Sequence, residues 1–215
     1  MFWRTWSPYD PGGSVKRTGL RLSDVACVRG GRLLFRGVDL AIDPGGSALL
    51  KGPNGIGKSS LMRICAGLLP ASAGTVERHG RVALADERLA LDMEQPLRAA
   101  LAFWARLDQA APEALDRAMA AMALEPLTDV PVRMLSTGQR KRAALARVIA
   151  GGAPIWLLDE PGNGLDDAAL ALLGDAVAGH LRQGGIVLAA SHQPLPLVTP
   201  VLLAMADYLA EDDAA

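Results

Sequence analysis

Four groups of residues carry side chains whose type and spacing suit them to a polyphosphate. The first is Gly52-Pro53-Asn54-Gly55-Ile56-Gly57-Lys58-Ser59, which fits G-x-x-x-x-G-K-[ST], the phosphate-binding loop. Glycines belong there because the backbone must curl until successive N–H groups point inward at phosphate oxygens, through conformations that a Cβ obstructs. Lys58 can then reach β and γ oxygens. Ser59 and Ser60 fall in the first turn of the following helix, where the N-terminal partial charge adds to the anion site and the Ser59 hydroxyl can ligate Mg²⁺. The second group is Ile155-Trp156-Leu157-Leu158-Asp159-Glu160, an apolar run ending in two carboxylates, as in a buried parallel strand whose C-terminal end faces a ligand. Asp159 can orient Mg²⁺ through water, and Glu160 can polarise an attacking water as general base. The third is Ser191-His192-Gln193 after the apolar run 186–190. A lone histidine is usually structural, but His192 stands at the carboxyl end of a core strand as Glu160 does, which favours a γ-phosphate contact. The fourth is Leu135-Ser136-Thr137-Gly138-Gln139, a turn opening a basic helix: Ser136 can cap it and Gly138 lets a phosphate approach the backbone, a second anion site.

Elements to position these groups can be read around them. Ala48, Leu49 and Leu50 form a buried strand before the phosphate loop, and Leu61, Ile64, Cys65 and Leu68 recur at helical spacing as the core face behind it. Residues 20–43 alternate in a strand-like way, broken at Gly30-Gly31, and predict an antiparallel β-layer. Such a layer often supplies the residue that stacks on a base. Here it offers Val28 and Arg29: the Arg29 guanidinium plane can lie on adenine, or Arg29 is an exposed arginine beside a turn. Residues 70–74 read as a turn, followed by short strands at Thr75-Val76 and 81–84. From residue 94 to 124 the pattern is helical, with Leu97, Leu101, Trp104 and then Leu115, Met119, Met122 as core stripes behind Pro96 and Pro112, and residues 88–150 read as a helical subdomain inserted into the α/β core.

Composition narrows the function classes. With 215 residues, 50% hydrophobic and 21% charged, the chain can bury one large core or a core with a small satellite. A formal net charge of -1 argues against nucleic acid as the partner, so Arg140, Lys141, Arg142 and Arg147 are read mostly as a solvated face. Cys27 and Cys65 lack metal or redox spacing and suit a reducing cytoplasm, with no disulfide expected. The apolar stretch 195–206 is broken by Pro196 and Pro200 and is shorter than the roughly 18 residues a spanning helix needs, so any membrane role must come through a partner. The first nineteen residues lack a signal peptide's apolar core and read as a flexible tail, in which Trp3 and Trp6 would also suit a membrane interface.

In this order, GPNGIGKS, LSTGQ, IWLLDE and ASHQ resemble the motifs of the ATP-binding cassette (ABC) ATPase family. The likeness covers residues 20–193. It implies an α/β P-loop NTPase with a parallel core sheet, an antiparallel β-layer and a short helical subdomain, binding ATP and Mg²⁺. The implied organisation is an N-terminal tail at 1–19, the ATPase domain at 20–210 with the helical subdomain at 87–150, and a tail at 211–215. In that family the signature loop of one copy closes over ATP held by another, so Ser136, Gly138 and Gln139 would serve a second copy in a head-to-tail homodimer. Within the family, ACVRGGRLLFRGVDL, KSSLMRICAGLLPASAGTV, DVPVRMLSTGQRKRAALAR and APIWLLDEP are similar to the ATPase subunits of cytochrome c maturation. That likeness implies integral membrane partners of the CcmB/CcmC type, a peripheral place at the cytoplasmic face of the inner membrane, and a role in haem export; lipid, peptide or metal export are the alternatives. Non-transport members typically carry coiled-coil insertions, zinc cysteines or tandem cassettes, none of which this sequence has. Two departures stand out. Where the family places a glutamine between Mg²⁺ and the membrane subunit, the nearest candidate is Glu87, with Gln95 a weaker one. The turn after the carboxylates reads Asn163-Gly164-Leu165-Asp166 where the family has SALD, which predicts a looser link between the two sites.

Overall fold

A computed structural model describes residues 18–86 and 90–209. The alternating residues 20–43 form β1 (Gly19–Arg29) and β2 (Arg32–Ile42), an antiparallel pair turned at Gly30-Gly31. Together with β4 (Ala73–His79) they make a three-stranded sheet of order β2-β1-β4. The apolar runs form β3 (Ser47–Lys51), β6 (Ile155–Asp159) and β7 (Ile186–Ala190). With β5 (Val82–Ala85) and β8 (Val201–Ala204) they build a parallel sheet of order β5-β6-β7-β3-β8.

This parallel sheet is covered on both faces, which is why the interiors of its central strands are apolar. Their two-residue periodicity sorts side chains into two cores. Ala48, Leu50, Ile155, Leu157, Ile186 and Leu188 face the antiparallel sheet and helix α1 (Lys58–Cys65). Leu49, Trp156, Leu158, Val187 and Ala189 face the opposite layer, built from α2 (Leu97–Leu107), α3 (Pro112–Ala121), α4 (Thr137–Gly151) and α5 (Asp167–Arg182).

Helix α1 is shorter than its apolar periodicity predicts. It ends at Cys65, Gly67 takes φ +77°, and Leu68 is 70% exposed instead of facing the core. Arg78 of β4 donates from Nε to Cys65 O at 2.6 Å and from Nη2 to Ile64 O, so a guanidinium satisfies the last carbonyls where another turn would have been.

The basic residues of α4 are likewise not the solvated face expected of them. Arg140 donates to Leu135 O at 2.9 Å, Arg142 to Met122 O at 2.7 Å and Ala123 O at 2.8 Å, and Arg147 to Leu84 O. Arg147 also lies 4.8 Å over the Trp104 ring, and burial pulls its pKa down while Asp108 and Asp86 hold it up. These cations pin carbonyls of neighbouring loops and of β5 to the helix that carries the signature turn.

Within the helical insert a short backbone ladder ties the start of α2 to the segment just ahead of the signature turn: Leu97 N to Val130 O at 2.9 Å, Val132 N to Gln95 O at 3.0 Å and Arg133 N to Met93 O at 2.9 Å. Helix α5 and strand β8 have no counterpart in the sequence reading. No helix among the described residues is long and apolar enough to cross a membrane.

Candidate functional site

The phosphate loop runs from the end of β3 into α1 and rests on the antiparallel sheet. Gly57, the N-cap of α1, has φ +111°, and a Cβ there would sit 2.9 Å from the Phe35 ring of β2. Phe35 is fully buried, so it cannot yield. Gly52 (φ +148°) and Gly55 (φ +83°) also hold conformations that L-residues rarely adopt. No side chain caps α1 and no acid lies in its first turn, leaving its orphan N–H groups to an anion.

The Lys58 side chain is buried and turned back across its own loop, with Nζ donating to Gly52 O at 2.7 Å and Pro53 O at 3.2 Å. A lysine held this way is a fixed positive charge at the floor of the loop. Its Nζ is 3.9 Å from Glu160 Oε1. That oxygen is buried and accepts no hydrogen bond.

Strand β6 ends in the carboxylates because β6 and β7 stop in register. Asp159 pairs with Ala190, and Glu160 N donates to Ala190 O at 2.8 Å. At that point the chain turns with Glu160 at φ +47°, the left-handed region, where a long side chain is strained. The turn sends the Glu160 carboxylate toward the end of β7. There Oε2 accepts from His192 Nδ1 at 3.0 Å and from the His192 backbone N at 3.4 Å.

Asn54, Gly55, Gly57, Lys58, Ser59, Ser60, Asp159, Glu160 and His192 line one cleft of about 380 Å³, which brings three of the four sequence groups together. Leu34 and Asn163 line it too, and the sequence reading did not single them out as cleft residues. For Asn163 a signal existed, since it falls three residues after Glu160 in the turn; for Leu34 there was none. Gly52 and Pro53 border a neighbouring cleft and serve through their carbonyls, while Ile56 is buried under the loop.

The other candidates lie elsewhere. Arg29 is exposed at the end of β1. Its charge acts on the buried Cys27 thiol, which burial pushes up in pKa and which also bonds to Ser60. Arg29 does not line the phosphate cleft. Ser136 and Gln139 form a reciprocal capping box, Gln139 N to Ser136 Oγ at 3.2 Å and Ser136 N to Gln139 Oε1 at 2.8 Å. Gly138 is packed so closely on the residue 162–166 turn that a Cβ would meet Gly164 O at 2.9 Å. None of the three lines the phosphate cleft. Gln95 is exposed and does not line it either, while Glu87 and the tail with Trp3 and Trp6 lie outside the described residues.

The donor set suits Mg²⁺. Ser59 and Asp159 present hard oxygens in the cleft, and an ion that keeps several waters and takes other ligands from phosphates needs only one or two protein oxygens. Among the described residues no cluster of three His, Cys, Asp or Glu could hold a metal without such help.

A phosphate loop on a parallel sheet, a strand-end acid beside a switch-like histidine, and a signature turn heading a helix define an ATP-binding cassette. A family model described as "ABC transporter" matches residues 35–163. The chain is 60% identical over 178 residues, 83% of its length and 92% of the relative's, to the cytochrome c biogenesis ATP-binding export protein CcmA of Sphingopyxis alaskensis. It is 54% identical to the protein of that name from Novosphingobium aromaticivorans, over 90% of this chain and 99% of the relative. Among solved structures, an ABC transporter ATP-binding protein from Pyrococcus furiosus shares the fold with a TM-score of 0.78 at 20% identity, covering 89% of this chain and all of that one. The chain belongs to the ABC transporter ATP-binding family and, within it, to the group of the cytochrome c biogenesis ATP-binding export proteins. It is an ATP-hydrolysing subunit.

Proposed function

We propose that this chain powers the haem-exporting complex of cytochrome c maturation, as a peripheral subunit at the cytoplasmic face of the inner membrane. Integral membrane subunits of the CcmB/CcmC type would be its partners. Identity of 54–60% to export proteins of that system, over more than four-fifths of the chain, supports the assignment.

The observation that carries the mechanism is that no residue of the signature turn lines the phosphate cleft of its own chain. Ser136, Gly138 and Gln139 can close a nucleotide site only by meeting the cleft of a second copy, head to tail. In each composite site the loop N–H groups and Lys58 would bind β- and γ-phosphates, Arg29 would lie on adenine, and Ser59 and Asp159 would hold Mg²⁺. When bound, Mg²⁺ neutralises charge on the phosphate oxygens. Glu160, with Oε1 carrying no hydrogen bond and Oε2 fixed by His192, takes a proton from the water whose oxygen attacks the γ-phosphorus. ADP leaves as the bond to its terminal oxygen breaks. His192 holds Glu160 and contacts the γ-phosphate.

The test is Glu160→Gln, which keeps shape and removes the base. ATP binding should stay within a few-fold of the parent while turnover drops by 100-fold or more; hydrolysis at the parent rate would reject Glu160 as the base. The cargo is tested separately, by identifying what co-purifies with the chain from solubilised membranes. Haem-handling subunits support the reading, and a lipid, peptide or metal permease overturns it.

A further inference from the structure

His192 is 47% exposed in its side chain, yet its ring is held 3.0 Å from Glu160. Something beyond that single hydrogen bond must fix a ring so open to water. The chain after it reads Gln193-Pro194-Leu195-Pro196. Pro194 and Pro196 lock their own φ and bias Gln193 and Leu195 to extended backbone, so the segment is stiff before it docks. At its upper end, Ser191 is buried and its Oγ donates to Gln193 O at 2.9 Å and accepts from Gln193 N at 3.0 Å, closing a tight turn around His192.

The lower end is seated on two glycines. A Cβ at Gly162, in the turn just after Glu160, would be 3.2 Å from Leu195 Cδ2, and 3.3 Å from Leu170 Cδ2 of α5. A Cβ at Gly174 on α5 would be 2.9 Å from Pro196 Cβ and 3.1 Å from its Cγ. Gly174 sits in the middle of a sixteen-residue helix, where glycine is unfavourable without a packing reason. The close approach of Pro196 is that reason. Leu195 and Leu197 also pack against the core beneath α5.

We propose that Leu195-Pro196 is a strut that positions His192 on Glu160, with Gly162 and Gly174 as its sockets. The strut rests on the proposed hydrolytic role of Glu160 and His192, but touches neither nucleotide nor reacting atoms. Its anchor, α5, is capped by Asp166 of the same turn whose Gly164 abuts the signature Gly138. A shift of the signature turn would therefore reach His192 through α5 and the strut.

The experiment compares the full chain with Gly174→Ala, Leu195→Ala and Leu195→Met by steady-state ATPase kinetics, ATP binding, and NMR of the imidazole nitrogens, which is tractable with three histidines in the chain. Gly174→Ala and Leu195→Ala should each lower kcat about tenfold with ATP affinity and KM within twofold. They should also shift the His192 nitrogen signals and leave those of His79 in place. Leu195→Met, which refills the socket, should restore kcat. The strut falls if kcat is unchanged in both alanine variants, if ATP affinity falls in step with kcat, or if the His192 signals do not move. Should Glu160→Gln hydrolyse ATP normally, the functional reading fails first, and that outcome is read independently of the strut variants.

Discussion

Arg29 and Glu160 each take a side chain's chemistry from an unusual place. Arg29 is exposed at the end of β1, and the proposal that its planar cation lies on adenine has a direct test. Arg29→Ala should weaken ATP binding about three- to thirtyfold, the range a cation–π contact of about 0.7–2 kcal/mol allows, while Arg29→Tyr restores it; equal affinities in fluorescence titrations would leave Arg29 as a surface residue. Glu160 carries backbone strain at φ +47°, a cost of about 1 kcal/mol or more that glycine would not bear. Glu160→Gly should therefore leave chemical-denaturation stability equal or raise it by about 1 kcal/mol while abolishing turnover, the trade expected where a fold accepts strain to aim a catalytic group. A large loss of stability would mean that the bond to His192 outweighs the strain.

At the level of elements, the terminations matter more than the elements themselves. Strand β6 stops so that Asp159 and Glu160 emerge beside His192, and α1 stops at Cys65 because Arg78 takes over its carbonyls. Arg78→Met should lower stability by about 1–3 kcal/mol in urea unfolding through the loss of those charge-assisted bonds, with ATP binding weakened less. At the opposite end of the parallel sheet, His180 of α5 stacks on Trp156 of β6 with centroids 3.8 Å apart, and its Nε2 bonds to Pro154 O and Ile186 O. Burial holds its pKa below the usual value. The unfolded chain thus binds more protons below about pH 6.5, so stability is full above that pH and falls as the pH drops toward the lowered value. Arg117 and Asp175 line the same cleft, and the check is a difference: His180→Gln should flatten the melting temperature between pH 5 and 6.5 relative to the parent. Periodicity made the strands, α2, α3 and the phosphate loop legible, because alternation and glycine spacing are local properties. Leu68 and the basic face of α4 were misread because what ends a helix or engages an arginine here is a partner distant in sequence. Helix α5 and β8 escaped because an alanine-rich helix and a four-residue edge strand carry little pattern of their own. Asn163 was visible as part of the turn three residues after Glu160, but the left-handed backbone at Glu160 was not, since no spacing announces it.

For the molecule as a whole, the decisive feature is that the two groups proposed to bind phosphate share no lining residue, the signature turn meeting the cleft only through the 162–166 turn on which Gly138 packs. The phosphate cleft lies at the carboxyl ends of the parallel strands, whereas the signature turn heads α4, its serine and glutamine satisfying one another through the capping box. Monomeric chains should thus bind ATP through the cleft alone and hydrolyse it slowly, with specific activity rising with protein concentration. With Glu160→Gln the ATP-bound pair cannot discharge its nucleotide, so light scattering after gel filtration in Mg-ATP should show a species of twice the 22.5 kDa chain that vanishes in ADP. Adding Ser136→Arg, which drives a bulky cation into the facing site without touching the variant's own cleft, should abolish that species while ATP affinity stays within about threefold, a change under roughly 0.7 kcal/mol. A double variant that still pairs in ATP would place the contact between copies on another surface, and the separation of the two motifs would then need a different partner to close it.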